Sequence, residues 1–228
     1  MLDEADDQET TAGWVRRWRL ESFRIAVSLV VLLIATALAT DPPATWETSM
    51  FRTINDLTSW WGWVLWLIAQ AGFVLAIPVS AAILYFLVRH WRPSATLLAG
   101  GLVFSSLGTR IIKEVVDRSR PGQLLTDVKF GYGIPMSGPG YPSGHTAVAF
   151  TIAAMLSPYV PRWLRWTLYA IAALVAFSRI YMGAHLPLDV VGGAAYGLIV
   201  GSALNLVSGI RVDRARPEAL ANDMTPTP

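Results

Sequence analysis

The chain of 228 residues is 54% hydrophobic and only 15% charged, with a mean hydropathy of +0.45. A soluble domain carries about a quarter charged residues, so the composition is that of an integral membrane protein. The net charge of +2, with arginines gathered at segment ends, offers no basic stripe for nucleic acid, and the absence of cysteine excludes disulfides, thiolate metal sites and cysteine nucleophiles. Three histidines with few clustered carboxylates leave little from which to build a multi-ligand metal site.

Residues 1–13 are polar and acidic and read as a disordered leader, followed by a basic interfacial lead-in of Trp14, Arg16, Arg17, Trp18 and Arg19. The apolar run 25–39 is a first crossing, with Arg24 snorkelling to the interface. Ala37-Leu38-Ala39 also fits a signal-peptidase site, but the long acidic leader argues for an uncut helix. Residues 41–56 read as a polar loop. Trp60, Trp61, Trp63 and Trp66 then form an interfacial belt of lipid anchors ahead of one crossing over 67–88, kinked at Pro78. His90, among Arg89, Trp91 and Arg92, belongs to a short basic connection. Further crossings fall at 95–112, 144–160, 166–177 and 190–207, giving an all-α, six-helix polytopic protein. The membrane unit covers 20–208, between a cytoplasmic segment 1–19 and a disordered cytoplasmic tail 209–228.

Parity places the polar stretches 113–145 and 178–189 on one side of the membrane. Arg16, Arg17, Arg19, Arg24, Arg89, Arg92, Arg162, Arg165, Arg211, Arg214 and Arg216 fall on the other, which the positive-inside rule makes cytoplasmic together with both termini. The polar stretches therefore meet on the extracytoplasmic surface of the cell membrane.

Lys113, Arg120, Ser143, His145, Arg179, His185 and Asp189 collect there, a set costly to hold at a membrane boundary without function. The turn Pro142-Ser143-Gly144-His145 opens a helix, and the free amides of residues 143–145 make an anion site. On a continuous helix Lys113 and Arg120, seven apart, share a face. With Arg179 they give three cations around a turn of free amides, a site for a dianion. If a helix starts at Pro187, Asp189 reaches back to His185 and fixes its tautomer, leaving the other ring nitrogen as a nucleophile. His145, with no carboxylate near it in sequence, suits a general acid.

Lys113 with Arg120-Pro121, then residues 142–145, then Ser178-Arg179 with His185 and Asp189, resemble in order and spacing the three-part signature of the type 2 phosphatidic acid phosphatase superfamily, over about residues 20–208. The resemblance implies a metal-independent phosphatase without cofactor. In it His185, oriented by Asp189, forms a phosphohistidine, His145 protonates the leaving group, and Lys113, Arg120, Ser143, Gly144 and Arg179 bind the phosphoryl oxygens. Its substrate would be a membrane lipid phosphate of the phosphatidic acid, phosphatidylglycerol phosphate or undecaprenyl pyrophosphate class; the motif does not separate these, nor give an oligomeric state. Tyr141 and residues 130–134 are expected to shape the entrance. The alternatives are a vanadium haloperoxidase-like enzyme and a catalytically silent lipid-phosphate binder or transporter.

Overall fold

A computed structural model describes residues 13–15, 18–57, 60 and 62–212. Arg16, Arg17, Trp61 and the tail arginines Arg214 and Arg216, like the acidic leader, lie outside these residues. A three-residue strand β1 (Gly13–Val15) precedes α1 (Trp18–Leu38), α2 (Thr45–Asn55), α3 (Gly62–Ala69), α4 (Ala76–Val88) and α5 (Trp91–Val103). A π-helical turn at Phe104–Gly108 joins α5 to α6 (Thr109–Val116). After α7 (Pro121–Leu124) and a long loop come α8 (Gly144–Leu156), α9 (Arg162–Tyr181), α10 (Pro187–Ser208) and strand β2 (Ile210–Val212), which pairs antiparallel with β1.

The centre is the pair α8 and α10. Nearly every α8 side chain is buried, which is why its sequence shows no amphipathic stripe. Gly193 and Gly197 of α10 let the two backbones approach: a Cβ at Gly197 would stand 2.4 Å from the Ala147 carbonyl oxygen. Helix α1 covers one side of α10, α9 lies against α8, and α4 and α5 close the bundle through Ile77, Leu84, Leu97, Val148, Met155 and Leu204. Large apolar side chains such as Leu33, Ile34, Val79 and Phe86 remain exposed on the outside, where lipid would cover them.

Helices Trp18–Leu38 and Pro187–Ser208, and the continuous run Trp91–Val116, are long and apolar enough to cross a membrane; Gly62–Gly72 with Ala76–Val88 makes a fourth span if that bent pair is one crossing. At 13 residues α8 is about 20 Å long, short of a hydrocarbon core of about 30 Å.

Four expectations change. The polar stretch 41–56 holds α2, because Glu47, Phe51 and Asn55, spaced four apart, form one buried face despite the polar composition. The second crossing is broken by 66°, and the break falls at residues 70–75 rather than at Pro78, which sits in the first turn of α4 where its missing N–H costs nothing. There Gly72 lies so close to the His145 carbonyl that a Cβ would stand 2.4 Å away, so the break lets this segment seat against the head of α8. Lys113 and Arg120 are not on one helix: Asp117 takes a left-handed conformation (φ 44°) and ends α6. Arg24, expected to snorkel, pairs with buried Glu21 at 3.1 Å. The side chain of His90 caps α5 by accepting from the Arg92 amide.

Candidate active site

At one end of the bundle, the C-terminus of α6, the heads of α7, α8 and α10 and the last turn of α9 come together. Lys113, Arg120, Gly144, His145, Arg179 and His185 wall one cavity of about 510 Å³. Of the expected entrance residues Tyr132, Gly133 and Ile134 line it, with Pro135 beside them, whereas Phe130, Gly131 and Tyr141 do not: Tyr141 is fully buried and shares a 2.8 Å hydrogen bond with Thr36 of α1. Trp66, expected only as a lipid anchor, stands in the cavity wall, whereas Trp60 and Trp63 are largely exposed.

The cations are fixed from behind. Lys113 Nζ donates to the carbonyls of Pro139 and Gly140 at 2.9 and 3.1 Å, and Arg120 donates from one terminal nitrogen to the Ala184 carbonyl at 3.1 Å. The Nε atoms of Arg120 and Arg179 are buried without a hydrogen-bond partner. Burial lowers the pKa of Arg120, opposed by the charge of Asp189. Buried polar groups left unsatisfied are costly, and three cations on one cavity repel one another, so the site as built favours an anion with several acceptor oxygens.

His185 sits in the loop between α9 and α10, 3% exposed. Helix α10 does start at Pro187, and Asp189 in its first turn accepts from the Leu186 amide at 2.9 Å. Asp189 Oδ2 stands 3.5 Å from His185 Nδ1, an ion-pair distance longer than a good hydrogen bond. Burial, reinforced by Lys113, Arg120, Arg179 and His145, holds the His185 pKa well below the usual histidine value, so the imidazole is neutral with a lone pair available.

The anion turn is only partly as expected. The Ser143 amide is not free: it donates to the Asp189 carbonyl at 2.9 Å, tying the head of α8 to that of α10. Ser143 is fully buried, and its hydroxyl accepts from Thr146 Oγ1 at 3.0 Å. Of residues 142–145, only Gly144 and His145 face the cavity.

Sequence reasoning missed what stands behind Asp189. Arg118, 1% exposed, donates to Asp189 Oδ1 at 2.8 Å and forks onto both carboxylate oxygens of fully buried Glu47 on α2. Glu47 Oε1 also accepts from the Leu188 amide at 2.9 Å. Burial alone would lower the Arg118 pKa, but its hydrogen bonds to Glu47 and the charge of Asp189 outweigh that and raise it. Asn55, also on α2, bonds the backbone of Lys129 in both directions and donates to the Tyr181 carbonyl, pinning the long loop to the end of α9. The four-residue spacing of Glu47, Phe51 and Asn55 was the available signal; nothing in the sequence distinguishes Arg118 from its charged neighbours.

Known proteins resemble this chain over most of its length. The chain is 30% identical over 171 residues to a lipid A 4'-phosphatase of Porphyromonas gingivalis, covering 68% of this chain and 70% of that protein. It is 30% identical, again over 171 residues, to an undecaprenyl-diphosphatase of Sulfolobus acidocaldarius, with 74% and 79% covered. The crystal structure of Aquifex aeolicus LpxE superposes with a TM-score of 0.62 at 29% identity, over 71% of this chain and 95% of that one. A phosphatidylglycerolphosphate phosphatase of Bacillus subtilis shares the fold, with a TM-score of 0.63 at 23% identity over 89% of this chain and 98% of that one. With the family model matching residues 60–213, the chain belongs to the PAP2 superfamily.

Proposed function

We propose that the protein hydrolyses a phosphomonoester or pyrophosphate on a membrane lipid through a phosphohistidine, without a metal ion. The observation that carries this reading is the convergence of Lys113, Arg120 and Arg179 with His145 and a neutral, carboxylate-backed His185 on one cavity. His185 Nε2 attacks phosphorus as the bond to the leaving oxygen breaks, and His145 gives that oxygen its proton. Water then attacks phosphorus as the P–N bond breaks, while His145 takes a proton from the water, releasing phosphate and restoring His185. The three cations and the Gly144 amide meet the charge spread over the equatorial oxygens. Ser143, buried behind Gly144, acts through its amide, which ties the head of α8 to the Asp189 carbonyl. Asp189 stabilises the charge that grows on the His185 ring.

A second cavity of about 480 Å³, walled by Trp63, Phe130 and Tyr181 and sharing Trp66, Tyr132 and Met182 with the first, suits the part of the lipid next to its phosphate. The unit 20–208 crosses the membrane six times, with α8 and α9 crossing inside the bundle. The site is extracytoplasmic and both termini are cytoplasmic. The β1–β2 ribbon supports this topology by placing the two ends of the described chain together, away from the site.

Phosphate release from a panel of detergent-solubilised lipid phosphates and pyrophosphates tests the proposal. Wild type is expected to release phosphate in the presence of EDTA and His185→Ala to release none while keeping its melting temperature. Loss of activity on chelation, or turnover by His185→Ala, would overturn the scheme.

A further inference from the structure

Helix α2 lies ahead of the segment that defines the family, yet Glu47 is fully buried three side chains from the cavity: it grips Arg118, Arg118 grips Asp189, and Asp189 faces His185. Two acids and one guanidinium would be an expensive way to hold a helix in place. Breaking such a pair strands a buried charge, whereas apolar residues of equal volume would pack as well. The arrangement does something packing cannot. Arg118 alone would neutralise Asp189, leaving His185 among Lys113 from α6, Arg120 at the head of α7, His145 from α8 and Arg179 from α9, all basic. The second carboxylate restores a net charge of minus one to the buried trio. Asp41, partly exposed and 3.8 Å from Arg118 Nε, adds a weaker, solvent-screened contribution.

We propose that Glu47 and Arg118 form a positioning unit for the Asp189–His185 pair. Arg118 fixes the carboxylate through Oδ1 so that Oδ2 stays turned to the imidazole, and Glu47 cancels the guanidinium charge so that Asp189 keeps its full negative charge against His185. Neither residue touches the substrate. Glu47 also holds the Leu188 amide, so one carboxylate sets both the charge behind Asp189 and the path of the backbone beside it.

The inference rests on His185 being the nucleophile, and its test separates the two claims. The kcat and KM of the full-length protein would be measured from acid to alkaline pH for wild type, Glu47→Gln, Glu47→Gln/Arg118→Gln and His185→Ala, with melting temperatures in the same detergent. The expected result for Glu47→Gln is a kcat reduced about 10–100-fold, since misplacing a reacting group by about 1 Å can cost about 100-fold, with KM nearly unchanged. Its acid limb of kcat should move to lower pH, because the charge that favours protonated His185 has been removed. The double variant has both charges removed and the trio again at minus one, so its acid limb should return toward wild type, and this variant decides the matter if the single one does not fold. A purely structural role would lower the melting temperature in both variants and leave the limb in place. That result, or wild-type kcat in Glu47→Gln, overturns the proposal. Turnover by His185→Ala would instead overturn the nucleophile assignment.

Discussion

Gly193→Ala tests whether the close contact of α8 and α10 is what sets the catalytic geometry. A Cβ at residue 193 would stand 2.5 Å from the Ser143 carbonyl oxygen and 3.1 Å from Thr146 Cβ. The first neighbour is backbone at the head of α8 and cannot rotate away. To reach the near end of C–H···O contacts, about 3.3 Å, the two helices must part there by roughly 0.8 Å. Overpacking of this kind costs about 1–3 kcal/mol. The displacement falls between His145, two residues after Ser143, and the His185–Asp189 pair at the head of α10, and a shift of about 1 Å in a reacting geometry can cost about 100-fold in rate. Gly201→Ala provides the internal control: its Cβ would meet Ala154 Cβ at 2.6 Å and the Thr151 carbonyl oxygen at 2.8 Å, eight residues or about 12 Å further from the site. Both variants are expected to melt at lower temperature, but only Gly193→Ala should lose kcat, by about 10–100-fold. Equal losses of kcat in the two, or wild-type kcat in Gly193→Ala, would refute the reasoning.

Asn55→Ala removes three hydrogen bonds between α2, the long loop and the end of α9. With buried backbone groups left unpaired, it is expected to cost about 1–3 kcal/mol and to raise KM more than it lowers kcat, because the loop carries Tyr132 to Pro135 of the cavity wall; an unchanged KM would argue against that link. The pKa of His185 lies well below its unfolded value of about 6.5, so its neutral burial contributes stability that is fully present above pH of about 6.5 and lost as pH falls below it. The melting temperature of the protein without substrate should therefore fall on acidification from neutral pH, and less steeply in His185→Asn; identical slopes would count against a neutral buried imidazole.

The residues that wall the site were legible because polar and charged groups at the ends of apolar segments have few other reasons to be there. Lys113, Arg120, His145, Arg179 and His185 all reach one cavity, and Pro187 does mark a helix start. What could not be read depends on tertiary partners. The Ser143 amide looked free because its acceptor, the Asp189 carbonyl, is 46 positions away. Residues 41–56 looked like a loop because their polar groups, Glu47 and Asn55, face inward to partners on Arg118, Lys129 and Tyr181 rather than outward to water. The second crossing breaks beside the head of α8, where Gly72 meets the His145 carbonyl, and not at the proline that composition draws attention to. Helices α8 and α9 read as crossings from their apolar runs, but α8 at 13 residues is too short to span alone and α9 has arginines near both ends.

The most direct measurement is to quench the protein with alkali during turnover of a radiolabelled lipid phosphate and to map the labelled residue. Wild type should carry an alkali-stable, acid-labile phosphoryl group on His185, absent in His185→Ala. Label on any other residue in the wild-type protein would contradict the account.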